Sequence, residues 1–364
     1  MKVLVIAPDV GPYGGTSRFL ERLLNIHSRH EIATTLLVAT EQCHPELVSL
    51  ASRYGVELVR SPSRTLPDTA PILTPFFDFL FSWRTVVTRR PDLIVVSTGD
   101  PGSLSISFYS QVPVLYILHS VPEQRFAFLP RMYLRFGSLL NNRVMTVSNA
   151  AAAAVSEYMG IPRDKIEVVY NCCDVATFRT ESDNPIVMTA GHLVPYKNPD
   201  LWLEVARRVL LDFPNVLFVW LGDGALLETI RGKVEALSLQ KWILLPGYVS
   251  DPSIWYAKAH IYFQPSLRES HGIAVLEAMA HGLPCVVSNT GGLPESVVDR
   301  ETGFVCPPND QVGFARRISE LLGDSALREN MGTSGRQRVK MNFSADSQEL
   351  KVLAMYGLLA KNVK

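Results

Sequence analysis

Short apolar runs rich in Val, Ile and Leu alternate with longer amphipathic or alanine-rich segments along most of this chain. Five runs in the first half predict β-strands: Val3–Ala7, Thr34–Val38, Leu93–Ser97, Val114–Leu118 and Val144–Val147. The segments between them, including Ser17–Ser28 and Asn149–Met159, have the pattern of helices. Alternation of this kind indicates βαβ units and parallel sheets.

A polar segment, Phe178–Asn184, interrupts the alternation, and we interpret it as an interdomain linker. Strands are then predicted at Ile186–Ala190, Val216–Leu221, Ile243–Leu245, Ile261–Gln264, Cys285–Ser288 and Gly303–Cys306. Helices are predicted at Pro199–Leu211, Ala225–Ala236 and Ala274–Ala280, and from Asp310 to the end of the chain. We therefore expect an α/β protein of two domains, residues 1–180 and 185–342, which agrees with 364 residues at roughly 150 per domain. The loops after parallel strands carry the ligand sites of such domains, so we expect a site in a cleft between the two.

The charge balance and the hydropathy narrow the function classes. With 35 basic and 35 acidic residues the formal net charge is zero, which argues against a nucleic-acid binder held by bulk positive charge. No run approaches the ~18 apolar residues that a membrane span requires, and the apolar part of the first strand is too short for a signal-peptide core. Five cysteines without a Cys-x-x-Cys pair signal neither a disulfide framework nor a zinc site, so we expect a cytoplasmic protein.

The segment Pro265–Gly292 carries the strongest chemical signal. It reads as a strand end, a polar loop and a helix that starts near Ile273, with Glu269 in the loop and Glu277 in the helix. The free N–H groups at the start of a helix attract anions, and a diphosphate suits such a place. Carboxylates only accept hydrogen bonds, so the two glutamates suit the hydroxyls of a sugar and a ribose.

The whole segment resembles the donor-site motif of the retaining GT-B glycosyltransferases usually called family GT4. The matching positions are Glu269, Glu277, Ala278–Ala280, Gly282, Pro284, Gly291 and Gly292. The resemblance implies two Rossmann-like, doubly wound domains that face a central cleft, with a UDP- or GDP-sugar bound to the second one. The residues that it assigns to donor binding in this segment are Glu269, Ser270, His271, Gly272, Ile273 and Glu277.

A second matching piece is Gly191–Asn198, a glycine-led turn after the first strand of the second domain. In the family this turn carries an Arg and a Lys that neutralise the leaving diphosphate. Lys197 fits the lysine position, whereas His192 stands where the family usually has Arg. A histidine is charged at neutral pH only if its pKa is raised, and it lacks the bidentate fork of Arg. Either His192 donates one bond to the phosphate or other groups take over that charge. Gly222 and Val249, in loops after two further strands, resemble nucleotide contacts of the family.

The first domain resembles the family more loosely. The loop Gly11–Arg18 follows the first strand, and its spacing departs from the Gly-x-Gly-x-x-Gly fingerprint, which disfavours a dehydrogenase. The resemblance assigns Gly15 to both substrates, and Arg18 and His119 to the acceptor, with His119 facing the reacting centre. It also implies that the C-terminal helix, residues 345–364, packs back on the first domain. Ser148 and Asn171 match family positions and suit a structural role as well as a functional one.

These assignments together predict a retaining transferase that moves a sugar to a glycan or lipid-linked acceptor, with His119, Lys197 and Glu269 as catalytic residues. No Asp-x-Asp pair occurs, so we expect no metal. Two alternatives remain open: a sugar-nucleotide epimerase of the same architecture, and a sugar-nucleotide-binding protein without catalysis.

Two stretches, residues 76–90 and 125–143, are rich in basic and aromatic residues. They are expected either to form amphipathic helices that cover the first sheet or to lie in a bilayer interface. In the second case the protein would rest on the inner face of the plasma membrane.

Overall fold

The computed structural model describes residues 1–8, 14–38, 43–60, 74–97, 106, 110–120, 142–175, 180 and 184–361, with the backbone alone at 74–79 and 361. Its internal contacts divide the chain into two compact units. The first comprises Met1–Val169 and Glu349–Lys364, and the second comprises Tyr170–Gln348. The division lies upstream of the polar segment that the sequence offers as a linker. Most of that segment lies outside the described residues.

The first unit contains a seven-stranded parallel sheet with the order β3-β2-β1-β4-β5-β6-β7. Its strands are β1 Lys2–Ala7, β2 Ala33–Val38, β3 Glu57–Arg60, β4 Leu93–Val96, β5 Val114–Leu118, β6 Arg143–Thr146 and β7 Ile166–Val168. Its helices up to this point are α1 Gly15–Arg29, α2 Pro45–Arg53, α3 Thr74–Arg89 and α4 Asn149–Met159.

Both faces of this sheet are covered, which explains why its strands read as continuous apolar runs. Val3 and Val5 of β1 belong to one apolar cluster, whereas Leu4 and Ile6 belong to another. Successive side chains of a strand point to opposite faces, so the two clusters lie on the two sides of the sheet.

Two strands of this sheet, β3 and β7, were not predicted from the sequence, and both lie at its edges. The side chains of β3 are exposed or half-buried, and only Ile166 of β7 is fully buried. An edge strand with so little burial needs no apolar run, so the pattern that reveals the central strands is absent there.

The second unit contains a six-stranded parallel sheet with the order β10-β9-β8-β11-β12-β13. Its strands are β8 Ile186–Ala190, β9 Leu217–Leu221, β10 Ile243–Gly247, β11 Ile261–Gln264, β12 Cys285–Ser288 and β13 Gly303–Cys306. Its helices are α5 Pro199–Asp212, α6 Leu227–Ala236, α7 Ser253–Lys258, α8 Ile273–Ala280, α9 Leu293–Ser296, α10 Gln311–Gly323 and α11 Ser325–Asn342.

Each sheet has a point where the direction of winding reverses. In the second unit the chain builds outward from β8 to β9 and β10 on one side, and from β11 to β13 on the other. The switch therefore lies between β8 and β11, and in the first unit it lies between β1 and β4. Ligands of open α/β sheets bind at the carboxyl ends of the strands next to such a switch.

The last helix, α12 Ala345–Lys361, contributes to the first unit from Glu349 onward. Val352, Met355, Tyr356 and Leu359 belong to the apolar cluster that contains Val3 and Val5. The hydroxyl of Tyr356 is 2.8 Å from Nε2 of His27 on α1, and Glu349 forms an ion pair with Arg29 and a contact of 2.7 Å with Nε2 of His30. Residues at the end of the chain therefore complete the core around its first strand.

Candidate active site

The loops after β8 and β11 meet at the switch point of the second sheet. Lys197 ends the 3₁₀ turn Pro195–Lys197 that follows β8, and Glu269 lies in the loop between β11 and α8. The ammonium Nζ of Lys197 donates to Oε2 of Glu269. Their side chains keep only 13% and 14% exposure, so this pair is much less accessible than a typical surface ion pair.

A third side chain, that of Gln264 at the end of β11, completes this cluster. Its amide Nε2 lies 2.7 Å from the same Oε2 of Glu269. Its Oε1 lies 2.8 Å from the hydroxyl of Tyr262, and both residues are fully buried. The carboxylate of Glu269 is therefore held by one charged donor and one neutral donor.

The backbone of the Glu269 loop is braced from both sides. The Leu267 N–H donates to the Tyr196 carbonyl at 2.7 Å, and the Gly292 N–H donates to the Glu269 carbonyl at 3.1 Å. Gly291 has a φ of 52°, and a Cβ there would lie 1.7 Å from the Glu269 carbonyl oxygen. Only glycine fits such an approach, which gives the Gly291-Gly292 part of the motif a physical reason.

Helix α8 begins directly after this loop, and its N-terminus has no side-chain cap. Gly272 precedes it with a φ of 84°. The first N–H groups of α8 thus carry the partial positive charge that suits an anion close to Lys197 and Glu269.

Glu277 lies further along α8 and is half-buried. Its Oε2 accepts a hydrogen bond of 3.1 Å from Tyr256, and the ring of Tyr256 stacks on that of His281. Burial, followed by the charge of Glu277, raises the pKa of Tyr256 well above its ordinary value, so the phenol keeps its proton and remains a donor. This contact orients one oxygen of the carboxylate that the sequence assigns to the ribose.

The side chain of His271 points into the protein, although its backbone belongs to the same loop. The imidazole stacks on Tyr170 with a centroid separation of 5.0 Å and meets Phe343 edge-on. It is fully buried, and neither ring nitrogen has a hydrogen-bond partner in the described part of the chain. Burial lowers its pKa to about 4, so the ring is neutral at pH 7. Any contact of His271 with a ligand must therefore come from its backbone.

The other donor residues that the sequence assigns lie at the same edge of the second sheet. His192 is exposed in the turn after β8, Gly222 follows β9, and Val249 is half-buried after β10. The N–H of Gly222 donates to the Gly247 carbonyl, which joins two of these loops. Ser270 and Ile273 flank the start of α8 and are half-buried.

Within the first unit, Gly15 and Arg18 are exposed on the first turn of α1, after β1. His119 follows β5, and its Nε2 lies 2.8 Å from the hydroxyl of Ser97, which follows β4. Its ring meets Phe19 edge-on at 5.0 Å, and burial lowers its pKa to about 4. His119 is therefore a neutral imidazole at pH 7, held by a hydroxyl group.

Ser148 and Asn171 have different surroundings. The hydroxyl of Ser148 accepts from the Ala151 N–H and caps α4, which is a structural role. Asn171 is buried near the start of the second unit. The residues 11–13 of the glycine-rich loop and 125–141 of the second aromatic stretch lie outside the described residues.

No sequence prediction covered Gln264 and Tyr256, which bond to Glu269 and Glu277, or Tyr262, which bonds to Gln264. Tyr262 and Gln264 lie inside a strand predicted from its apolar character. A glutamine at the end of a buried strand, followed by an acidic loop, was the available signal, because a buried amide requires a partner.

The described residues contain no group of three or more His, Cys, Asp or Glu that could hold a metal ion. No helix among them is both long and apolar enough to cross a membrane.

Two family models match the chain in succession. Residues 13–177 match the model described as Glycosyltransferase Family 4, and residues 174–338 match the model described as Glycosyl transferases group 1. The chain belongs to the group 1 glycosyltransferases. The sequence-based assignment to the GT4-type family is thereby confirmed.

Two curated relatives of this glycosyltransferase family cover part of the chain. The capsular polysaccharide biosynthesis glycosyltransferase CapM of Staphylococcus aureus is 28% identical over 206 residues, 56% of this chain and 53% of its own. The UDP-Gal:alpha-D-GlcNAc-diphosphoundecaprenol alpha-1,3-galactosyltransferase of Escherichia coli is 32% identical over 178 residues, 48% of this chain and 46% of its own. The chain thus spans about half the length of the curated relatives it matches.

Solved structures match over almost the whole glycosyltransferase chain. HepE of Anabaena, in complex with UDP and glucose, has a TM-score of 0.80 at 19% identity, covering 98% of this chain and 99% of HepE. The expected GT-B fold, with its two parallel-sheet α/β domains, is confirmed.

Proposed function

We propose that this chain transfers a sugar from a UDP- or GDP-sugar to a glycan or lipid-linked acceptor, with retention of the anomeric configuration and without a metal ion. The observation that carries the proposal is the Lys197–Glu269 pair at the switch point of the second sheet, beside the uncapped start of α8. A cation, an acceptor of sugar hydroxyls and a helix N-terminus are the groups that a sugar diphosphate requires.

In this mechanism Lys197 and the first N–H groups of α8 stabilise the charge that develops on the leaving diphosphate. Preorganised donors of this kind often supply the largest catalytic contribution. Glu269 accepts hydrogen bonds from the sugar, and Glu277 accepts them from the ribose. The bond from the sugar C1 to the diphosphate breaks and its electron pair stays on the phosphate oxygen. The acceptor oxygen bonds to C1 on the same face, and its proton passes to the departing phosphate.

Gly15, Arg18 and His119 of the first unit are proposed to serve the acceptor. Because the pKa of His119 is lowered to about 4, its neutral ring orients an acceptor hydroxyl rather than supplying positive charge. The name of the Escherichia coli relative specifies UDP-Gal and a diphosphoundecaprenol-linked sugar, which supports a lipid-linked acceptor for this chain too.

A thermal-shift series with UDP- and GDP-sugars tests donor binding first. A ligand present at 100 times its Kd stabilises the folded state by about 2.7 kcal/mol. Turnover is measured as the release of nucleoside diphosphate with and without acceptor glycans. NMR of the product's anomeric proton shows whether the anomeric configuration is retained. EDTA should leave the rate unchanged. Release without a glycoside product would favour the epimerase, and binding without release would favour a non-catalytic role.

We also propose that α3 contacts an anionic lipid surface. Leu80, Trp83 and Val87 are exposed at helical spacing on one face of α3. Arg84 and Arg90 are exposed nearby, whereas Arg89 pairs with Glu57. An apolar face bordered by arginines suits the interface of an anionic bilayer.

Co-sedimentation with vesicles of anionic lipid at low salt tests this contact. Trp83→Ser should reduce binding, and the matched variant Trp242→Ser, at the half-buried Trp242 of the second unit, should not. Equal binding to vesicles of neutral lipid, or no binding by the unaltered chain, would contradict the lipid contact.

A further inference from the structure

The direction of the hydrogen bonds around Gln264 follows from its neighbours. A carboxylate only accepts, so the amide group that faces Oε2 of Glu269 must be the Nε2 donor. The amide oxygen then faces Tyr262, whose hydroxyl must donate to it at 2.8 Å. Burial raises the pKa of Tyr262 well above its ordinary value, which keeps this hydroxyl protonated.

The same hydroxyl connects this chain of hydrogen bonds to β8. It accepts a bond of 3.3 Å from the backbone N–H of Ala190, the last residue of β8, and its contact of 3.2 Å with the Ala190 carbonyl is longer than its 2.8 Å bond to Gln264. Bonds therefore run in one direction, from the Ala190 backbone through Tyr262 and Gln264 to Glu269. Both side chains in the middle are fully buried, so water does not compete for these bonds.

Both donors to Glu269 reach one oxygen. Lys197 and Gln264 bond to Oε2, and in the described part of the chain no hydrogen bond occupies Oε1. A bound diphosphate would affect these two donors differently. A diphosphate attracts the ammonium of Lys197, whereas the neutral and buried amide of Gln264 has no reason to leave.

We propose that Tyr262 and Gln264 are positioning residues that hold the Glu269 carboxylate by Oε2, so that Oε1 remains available to the donor sugar when Lys197 turns to the diphosphate. The identity of the ligand rests on the proposed function, whereas the positioning of Glu269 rests on the hydrogen bonds alone. Tyr262 and Gln264 thereby contribute to the selection of the sugar. An Oε1 held in one position accepts a hydrogen bond only from a sugar hydroxyl at the matching position.

Gln264→Glu gives a test that needs no ligand. The new carboxyl would be buried next to Glu269, and both burial and a neighbouring carboxylate raise the pKa of a carboxyl above its unfolded value of about 4.3. The folded state then binds more protons than the unfolded state, and stability is lost as the pH rises. We expect the Tm of Gln264→Glu to match that of the unaltered chain near pH 5 and to fall below it by about 4 °C near pH 8.

Two control variants separate positioning from packing. Gln264→Leu removes the donor without adding a charge, so its Tm difference should not depend on pH. Gln264→Glu combined with Glu269→Gln should show a weaker pH dependence, because burial of the new carboxyl remains while the neighbouring carboxyl is gone. A Gln264→Glu difference that is equal at pH 5 and pH 8, or a pH dependence that is as large in the double variant as in Gln264→Glu, would overturn the inference.

Turnover provides the second readout. Gln264→Leu should lower kcat/KM for the donor roughly 10- to 100-fold, and Tyr262→Phe by a smaller factor. Gln264→Glu should approach normal activity at low pH, where its protonated carboxyl still donates, and should lose it as the pH rises. Normal kcat/KM in Gln264→Leu would overturn the role in donor recognition. If no UDP- or GDP-sugar raises the Tm of the unaltered chain, the proposed function fails, while the stability series still decides the positioning.

Discussion

Replacing Lys197 by alanine tests the central assignment of the site. The change removes the ammonium that bonds to Glu269 and that is proposed to meet the leaving diphosphate. Loss of one donor aimed at a developing charge typically costs ~100-fold or more in turnover, about 2.7 kcal/mol of transition-state stabilisation. We therefore expect kcat for Lys197→Ala to fall by at least ~100-fold.

The burial of the Lys197–Glu269 pair determines how much folding stability the variant loses. Breaking a buried ion pair costs about 3–5 kcal/mol, and an exposed pair contributes about 0–1 kcal/mol. With side-chain exposures of 13% and 14%, the Lys197–Glu269 pair lies between these limits, at about 2 kcal/mol. Gln264 still donates to Glu269 in the variant, which limits the loss. The variant should remain folded, with a Tm lowered by about 4–8 °C.

Lys233→Ala is the matched control, because Lys233 also forms an ion pair in the second unit, with Asp200. The side chains of that pair are 48% and 61% exposed, so its loss should cost no more than about 1 kcal/mol and leave turnover unchanged. The assay is release of nucleoside diphosphate, with Tm measured on the same preparations. Turnover of folded Lys197→Ala within threefold of normal, or an equal loss in Lys233→Ala, would refute the assignment.

Three further predictions follow from the second unit. Gly291→Ala should lower the Tm and weaken donor binding, because a Cβ would displace the Glu269 carbonyl. The control Gly232→Ala, inside α6 with open space around it, should stabilise the fold by about 0.5–1 kcal/mol. Equal Tm changes in the two variants would contradict this prediction. His271→Phe should make the free energy of unfolding less sensitive to acid. The pKa of His271 is lowered to about 4, so the unfolded chain binds a proton between pH 6.5 and 4 that the folded chain does not, which costs up to about 3 kcal/mol at pH 4. Denaturant unfolding at pH 7 and pH 4.5 checks it, and an unchanged acid sensitivity would count against it. Glu277→Gln should raise KM for the donor about tenfold with little change in kcat, since it removes a contact made equally in the ground and transition states; steady-state kinetics with varied donor decide this, and a selective fall in kcat would point to another role.

The strands whose side chains are mostly buried on both faces could be predicted from the sequence, and the edge strand β13 is one of them. The bounds predicted for β5, β8, β11, β12 and β13 agree with the structure. The edge strands β3 and β7 escaped because half-exposed positions carry no apolar pattern. Parallel topology was enough to expect Lys197 and Glu269 at one edge of the sheet.

The polar contacts inside the site could not be predicted in the same way. Which oxygen of Glu269 is held, and by which donor, depends on the side-chain rotamers of Tyr262 and Gln264. The inward direction of His271 depends on Tyr170 and Phe343, which are far from it in sequence and leave no local signal. The motif therefore identified the loop but not the direction of every side chain in it.

The place of α12 has a consequence for synthesis. The apolar side chains that complete the core around β1 come from residues 352–359, which the ribosome makes after the whole of the second unit. The unit that is translated first is thus the one that can finish folding last. Nascent chains lacking these residues would have that side of the first sheet covered by α1 and α2 alone, and the apolar surface left exposed is expected to recruit chaperones.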